Sequence, residues 1–268
     1  MTAVRHFLLA LQFFTRIPVT GRLADWVGYS PAMLRASAAH FPAIGLLVGV
    51  VAALVAGGLL ALLPPSPLAA GVAAVFCTAV TVLLTGALHE DGMADVADGL
   101  GGSLDRQRAL EIMKDSRIGA FGALALVLTL GAKLSLLALL GAVQPAALCA
   151  ALVLAHVLSR AWPLLLVRWL PHVGDSAGSK SKPLADAISG GALAVAFAWT
   201  AVALAAVAAW QGVGFLLAPL AASALAWLVM ARWFRRRLQG FTGDCLGAAQ
   251  QVCEIACYLG VALALGRA

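Results

Sequence analysis

Charge is scarce in this sequence. Of its 268 residues only 11% are charged, 62% are hydrophobic, and mean hydropathy is +0.96. A soluble domain carries about 25% charged and about 45–50% apolar residues, so this shortage excludes a soluble enzyme. Strict apolar–polar alternation is missing too. The apolar runs are instead about 20 residues long, the length of a membrane-crossing helix. Backbone in hydrocarbon must satisfy its own hydrogen bonds, so such runs cross as helices. The composition predicts an all-α, polytopic membrane helical bundle, a single domain over residues 1–268 with no room for a sizeable soluble one.

Other absences narrow the function. The five cysteines show no CxxC and no zinc-ligand spacing. Cys77, Cys149, Cys245, Cys253 and Cys257 therefore read as small, reduced core residues. No nucleic-acid motif accompanies the net charge of +6, and no internal repeat of the transporter kind is visible. The apolar stretch 4–17 is too short to span, and Arg16-Ile17-Pro18 follows it where a signal peptide needs a small-residue cleavage site. An interfacial or re-entrant helix is expected there.

Seven apolar runs are present, at 40–63, 68–88, 119–141, 146–170, 187–210, 213–231 and 245–266. The connections between them alternate in charge. Arg5, Arg16, Arg22 and Arg35 precede the first run. Arg106, Arg108, Lys114 and Arg117 lie in 89–118, Lys180 and Lys182 in 171–186, and Arg232, Arg235, Arg236 and Arg237 in 232–244. The connections 64–67, 142–145 and 211–212 carry no charge. The positive-inside rule places the N-terminus and the basic connections in the cytoplasm, and the C-terminus outside. Nearly all acids fall on the same side, which the rule does not require. Polar chemistry gathered at one face implies a substrate met from that face.

The densest polar run is His89-Glu90-Asp91-Gly92-Met93-Ala94-Asp95-Val96-Ala97-Asp98-Gly99. On a helix Asp91, Asp95 and Asp98 stand at i, i+4 and i+7 and share one face. Each like-charged pair at that spacing costs about 0.2–0.5 kcal/mol, and a carboxylate at the centre of a membrane helix costs about 2.5–3.5 kcal/mol. A cation offsets both. Oxygen-only donors suit Mg²⁺, which is commonly held by a few carboxylates together with substrate phosphates. A single Asp at a helix mouth would be an ordinary solvated boundary residue. Three on one face, with Glu90 and His89 adjacent and Gly92 and Gly99 keeping the surface open, point to a metal site. Glu90 and Asp244 are further candidate ligands.

Two more polar segments stand on the same side. Lys114 and Arg117 are phosphate candidates near the start of the 119–141 helix, which Ser116 is placed to cap. Gln239-Gly240-Phe241-Thr242-Gly243-Asp244 opens the last helix. Asp244 there reads first as an N-cap, with Thr242 and Gly243 as candidate anion contacts. Arg16 is a further candidate for substrate phosphate. His40 reads as a boundary residue. Gly45 and Gly49 read as a helix-packing pair. Glu254 lies about 15 Å into the last helix, and an ionisable group at that depth is a functional candidate.

Taken in order, the chain resembles the adenosylcobinamide-GDP ribazoletransferase, or cobalamin (5′-phosphate) synthase, family. The matching stretches are Thr15-Arg16-Ile17-Pro18, Phe41-Pro42 with Gly45, His89 to Gly102, Glu111 to Gly119 with Phe121-Gly122, and Gly240 to Asp244 with Gly247-Ala248. Glu90 departs from the pattern, standing where an apolar residue is expected. The resemblance implies a bacterial inner-membrane enzyme with adenosylcobinamide-GDP and α-ribazole, or α-ribazole 5′-phosphate, as substrates. It implies GMP as a product, Mg²⁺ as cofactor, membrane lipid around it, and other late cobalamin-pathway enzymes as possible partners. On this reading Asp91, Asp95 and Asp98 hold Mg²⁺, one of them or His89 takes the ribose hydroxyl proton, and Lys114 and Arg117 hold phosphate.

The rivals are a CDP-alcohol phosphotransferase, a membrane prenyltransferase and a cation transporter. The first carries Asp pairs split across two helices, the second carries two Asp-rich runs, and the third expects acids near mid-membrane on several helices. None of these patterns is seen here. Trp162, Trp169, Trp233 and Phe241 are candidates for a corrinoid platform or for interface anchors.

Overall fold

The computed structural model describes residues 2–174 and 188–266; Asp175, Lys180, Lys182 and Asp186 lie outside these. The described chain is helical almost throughout. In order come α1 (Thr2–Phe14), α2 (Gly21–Val27), α3 (Pro31–Ser37), α4 (Phe41–Leu62), α5 (Ala69–Thr85), α6 (Leu88–Gly102) and α7 (Arg106–Ile112). They are followed by α8 (Ala120–Val143), α9 (Pro145–Ala161), α10 (Pro163–Trp169), α11 (Gly190–Gln211), α12 (Gly214–Arg237) and α13 (Gly243–Leu265). Among the described residues the only strand-like pairing is an isolated bridge between His172 and Phe241. The all-α membrane bundle is as expected, with 6 helical stretches long and apolar enough to cross a membrane. The 4–17 run is the short apolar helix α1.

One expected span is broken. The run 68–88 ends at Thr85, and the chain bends by 88° into α6. The bend is made by two successive left-handed residues, Gly86 (φ 66°) and Ala87 (φ 57°). Glycine adopts this freely, whereas a residue with a Cβ holds it at a cost of about 1–2 kcal/mol. α5 alone has 17 residues, about 25 Å of helix. The bend keeps the carboxylates of α6 out of that span and lays α6 across the starts of α8 and α13. The expected crossing at 146–170 holds as one stretch, Pro145–Trp169, with a local irregularity at Trp162-Pro163. Proline has no N–H to continue a helix but suits a first turn, so α10 begins there.

α9 is the centre of the bundle and is buried nearly all round. α4 packs closest to it, because Gly45 and Gly49 let the two backbones meet. A Cβ on Gly49 would lie 2.9 Å from the Leu152 carbonyl oxygen, so the small-residue reading of this pair holds. The cysteines are all free, and only Cys149 is less than fully buried.

Candidate functional site

α6 and α13 touch backbone to backbone. A Cβ on Gly92 would lie 2.7 Å from the Asp244 carbonyl oxygen, and one on Gly247 would lie 3.2 Å from the His89 Cα. This contact brings Asp244 to the acidic face of α6. Asp91 is exposed and Asp95 half-buried on that face. Burial, followed by the Asp244, Asp91 and Asp98 carboxylates, pushes the Asp95 carboxyl up to about 7. The charged groups that shift it are all anions. Among the described residues no group of three or more His, Cys, Asp or Glu side chains is placed to hold a metal ion by itself. The acidic face is an open rim.

Asp98 is engaged elsewhere. It is buried, and its two oxygens accept the Gly119 and Gly122 amides at 2.7 and 2.8 Å. It caps α8 in place of Ser116, because the N-cap position is Gly119, which has no side chain to offer. A carboxylate at a helix N-terminus also meets the positive end of the helix dipole. Asp98→Ala should lower stability by about 1–2 kcal/mol and leave Mg²⁺ titration at Asp95 measurable. Thermal unfolding in detergent and calorimetric Mg²⁺ titration check this. Unchanged stability with lost Mg²⁺ binding would make Asp98 a ligand instead.

Glu90 and His89 leave the Asp face because a helix turns about 100° per residue. Glu90 is buried and accepts the Gln251 amide at 3.0 Å. The structure does not bring it to Asp91 and Asp95. Next along this buried chain Gln251 donates to Gln250 at 3.0 Å, and Gln250 to Glu254 at 2.6 Å. His89 is 3% exposed, lies nearly parallel to Phe41 (centroids 6.0 Å apart), and its Nε2 has no hydrogen-bond partner.

The other candidates surround the rim. Thr242, not Asp244, is the N-cap of α13. Its Oγ1 accepts the Cys245 amide at 3.3 Å and donates to Asp244 Oδ2 at 3.3 Å. The Arg16 amide donates to the Leu84 carbonyl at 2.7 Å. Its guanidinium packs over Gly86, where a Cβ would collide with it. Arg16 is thereby fixed at the α5–α6 bend. Arg117 pairs with Asp115 at 2.6 Å and holds that carboxyl down, to about 2, mainly by side-chain hydrogen bonding. Lys114 closes the turn after α7, its amide donating to Glu111 at 3.2 Å.

Sequence reasoning did not find the chamber beside the rim. A cavity of about 140 Å³ lies between α1, α4, α6, α10 and α13, walled by Phe13, Phe14, Phe41, Leu164 and Leu246 with Gly243, and reached by Asp91 and Asp244. Five separate segments build it, so no local pattern announces it.

A family model described as cobalamin-5-phosphate synthase matches residues 6–262. A protein of Albidiferax ferrireducens named adenosylcobinamide-GDP ribazoletransferase is 62% identical, over 98% of this chain and 99% of its own. Proteins of the same name from Leptothrix cholodnii and Vibrio cholerae are 50% and 43% identical, over 96% and 94% of this chain and 94% and 91% of their own. No solved structure matches it. The chain belongs to the cobalamin-5-phosphate synthase family.

Proposed function

We propose that this membrane transferase moves the adenosylcobinamide-phosphate moiety of adenosylcobinamide-GDP to α-ribazole, or its 5′-phosphate, and releases GMP. The names of its relatives support the substrates. The observation that carries the mechanism is the acidic rim of Asp91, Asp95 and Asp244 where α6 crosses the start of α13. Its donors are hard oxygens, too open for an all-protein cage. That fits Mg²⁺, which binds through one or two carboxylates and keeps water and substrate phosphate for the rest. When bound, Mg²⁺ supplies the positive charge that offsets the diphosphate.

The chain's own residues then position and deprotonate. A ribose hydroxyl of the acceptor attacks the corrinoid-side phosphorus. The bridging P–O bond breaks, and GMP leaves with its electron pair. A carboxylate of the rim, Asp91 or Asp95, accepts the hydroxyl proton. Arg16 at the bend, Lys114 and Arg117 take phosphate oxygens, Arg117 exchanging Asp115 for the substrate. The α13 amides beyond Thr242 and Gly243 face the same anion. Catalysis is then alignment plus fixed charge.

We assign the rim to the cytoplasmic side of an inner membrane, with the N-terminus inside. Contacts between the basic connections support one shared compartment. Arg106 donates to the Leu238 carbonyl at 2.6 Å, and Arg237 to those of Leu100 and Ser103 at 3.2 and 2.5 Å.

Purified protein given adenosylcobinamide-GDP, α-ribazole and Mg²⁺ should form GMP. EDTA should stop the reaction and added Mg²⁺ restore it. No GMP with either acceptor form would overturn the reading.

A further inference from the structure

The chamber beside the rim is built for one part of one substrate. Phe14 and Phe41 stack on each other at 4.2 Å and 25° in its wall, and Phe13 stands edge-on to Phe14 at 5.0 Å. Its titratable side chains are His89, Asp91 and Asp244, all from the contact between α6 and α13. The remaining side chains lining it are apolar. Carboxylates therefore stand at one edge of an otherwise hydrocarbon-lined space.

Size and polarity select among the groups the proposed reaction brings. The volume, about 140 Å³, is close to that of the apolar cavities of about 150 Å³ that hold a single benzene. A corrin macrocycle does not enter; the six-membered ring of one planar base does, with the rest of the base and its sugar left at the mouth. Three bases are on offer, and the adenine of the adenosyl group is polar in the same way as guanine, with an amino group and ring nitrogens. Guanine carries an amide, an amino group and ring nitrogens, and each one buried without a partner costs about 1–3 kcal/mol. The dimethylbenzimidazole of α-ribazole carries two methyl groups and one free ring nitrogen. Flat aromatic walls favour it, and its methyls gain about 0.8 kcal/mol for each carbon buried.

We infer that this chamber is the acceptor's base site: it takes the dimethylbenzimidazole of α-ribazole, six-membered ring first, against Phe14, Phe41 and Leu246, and leaves the ribose at the Asp91–Asp244 edge. This rests on the proposed transferase reading and deepens it. It also explains how the nucleophilic hydroxyl comes to lie against the carboxylates: an apolar ring anchored inside can leave its sugar only at the polar edge.

Two measurements test it. With the wild-type protein, the acceptor series α-ribazole, unmethylated benzimidazole riboside and purine riboside should show KM rising by about 10-fold or more at each step. The KM for adenosylcobinamide-GDP should stay constant. Leu246→Trp, which fills the chamber, should raise the KM for α-ribazole by about 10-fold or more and leave calorimetric GMP binding intact. Weakened GMP binding with an unmoved acceptor KM would put guanine in the chamber and overturn the inference. An acceptor series with no preference for the methyls would overturn it too, as would an acceptor KM indifferent to Leu246→Trp, the result expected if lipid or detergent fills the space. Each of these leaves GMP release, and so the transferase reading, standing. Absence of GMP from the wild-type protein would instead sink that reading. Should Leu246→Trp fail to fold, the acceptor series alone decides.

Discussion

Asp95→Asn should lower GMP release by about 100-fold or more, the scale on which single transition-state charge partners act, while the protein inserts and unfolds much as wild type. Asp91, Asp98 and Asp244 all act on Asp95, and the charged groups that shift it are all anions. A site of that kind favours whatever brings positive charge, a proton at low pH or Mg²⁺ at higher pH. Because burial and those neighbours push Asp95 up to about 7, proton and metal compete near neutrality. The carboxylate form binds the metal, so Mg²⁺ affinity should climb as pH rises through about 7, with proton release on binding. Asp95→Asn should flatten that climb, since an amide has no proton to exchange. Calorimetric Mg²⁺ titrations in buffers of different ionisation enthalpy read both the affinity and the proton count. Near-normal turnover of Asp95→Asn with Mg²⁺ would remove the rim from the mechanism.

The sequence carried the acidic face but not the division of labour within it. Helical spacing put Asp91, Asp95 and Asp98 on one side, and all three are found on α6. Spacing cannot say that Gly119 leaves the α8 N-cap without a side chain, so that Asp98 is drawn there from another helix. Hydropathy likewise saw 68–88 as one crossing. Two left-handed residues, only one of them glycine, turn the chain by 88° at a place where apolarity does not change. The aromatic residues were the least legible. Phe241 is fully buried, and Trp162 stacks on Trp227 at 6.0 Å and donates its indole N–H to Ser223 at 3.1 Å. Of the four platform candidates Trp169 is the most exposed, at 63%. Meanwhile Phe13, Phe14 and Phe41, none of them among the platform candidates, wall the chamber. Periodicity reports the face of one helix; a site shared by five helices is fixed by contacts it does not encode.

Lys133→Met should destabilise the bundle by about 3–5 kcal/mol, the cost of leaving one member of a buried ion pair unmatched. Lys133 passes unnoticed in the apolar run of α8, and Glu254 was a functional candidate by depth alone. The structure joins them. Lys133 Nζ lies 2.6 Å from Glu254 Oε1, with side chains 2% and 1% exposed. Glu254 also accepts Gln250 at 2.6 Å and the Tyr258 hydroxyl at 3.0 Å, and His156 Nδ1 lies 3.6 Å away. Such a carboxylate has its partners already and needs no substrate. Removing Lys133 alone strands the anion among three remaining neighbours; Glu254→Met alone strands the ammonium. Lys133→Met with Glu254→Met removes both charges, and apolar pairs of similar volume often match a buried ion pair in stability. The double variant should therefore recover part of the loss, the buried Arg160 having lost the Glu254 carboxylate as well, a non-additivity that thermal unfolding in detergent measures directly. Glu254 connects through Gln250 and Gln251 to Glu90 on α6. Activity should accordingly fall with stability in each single variant and return with it in the double. A double variant that regains stability but stays inactive would move this pair from holding α6 in place to taking part in the reaction.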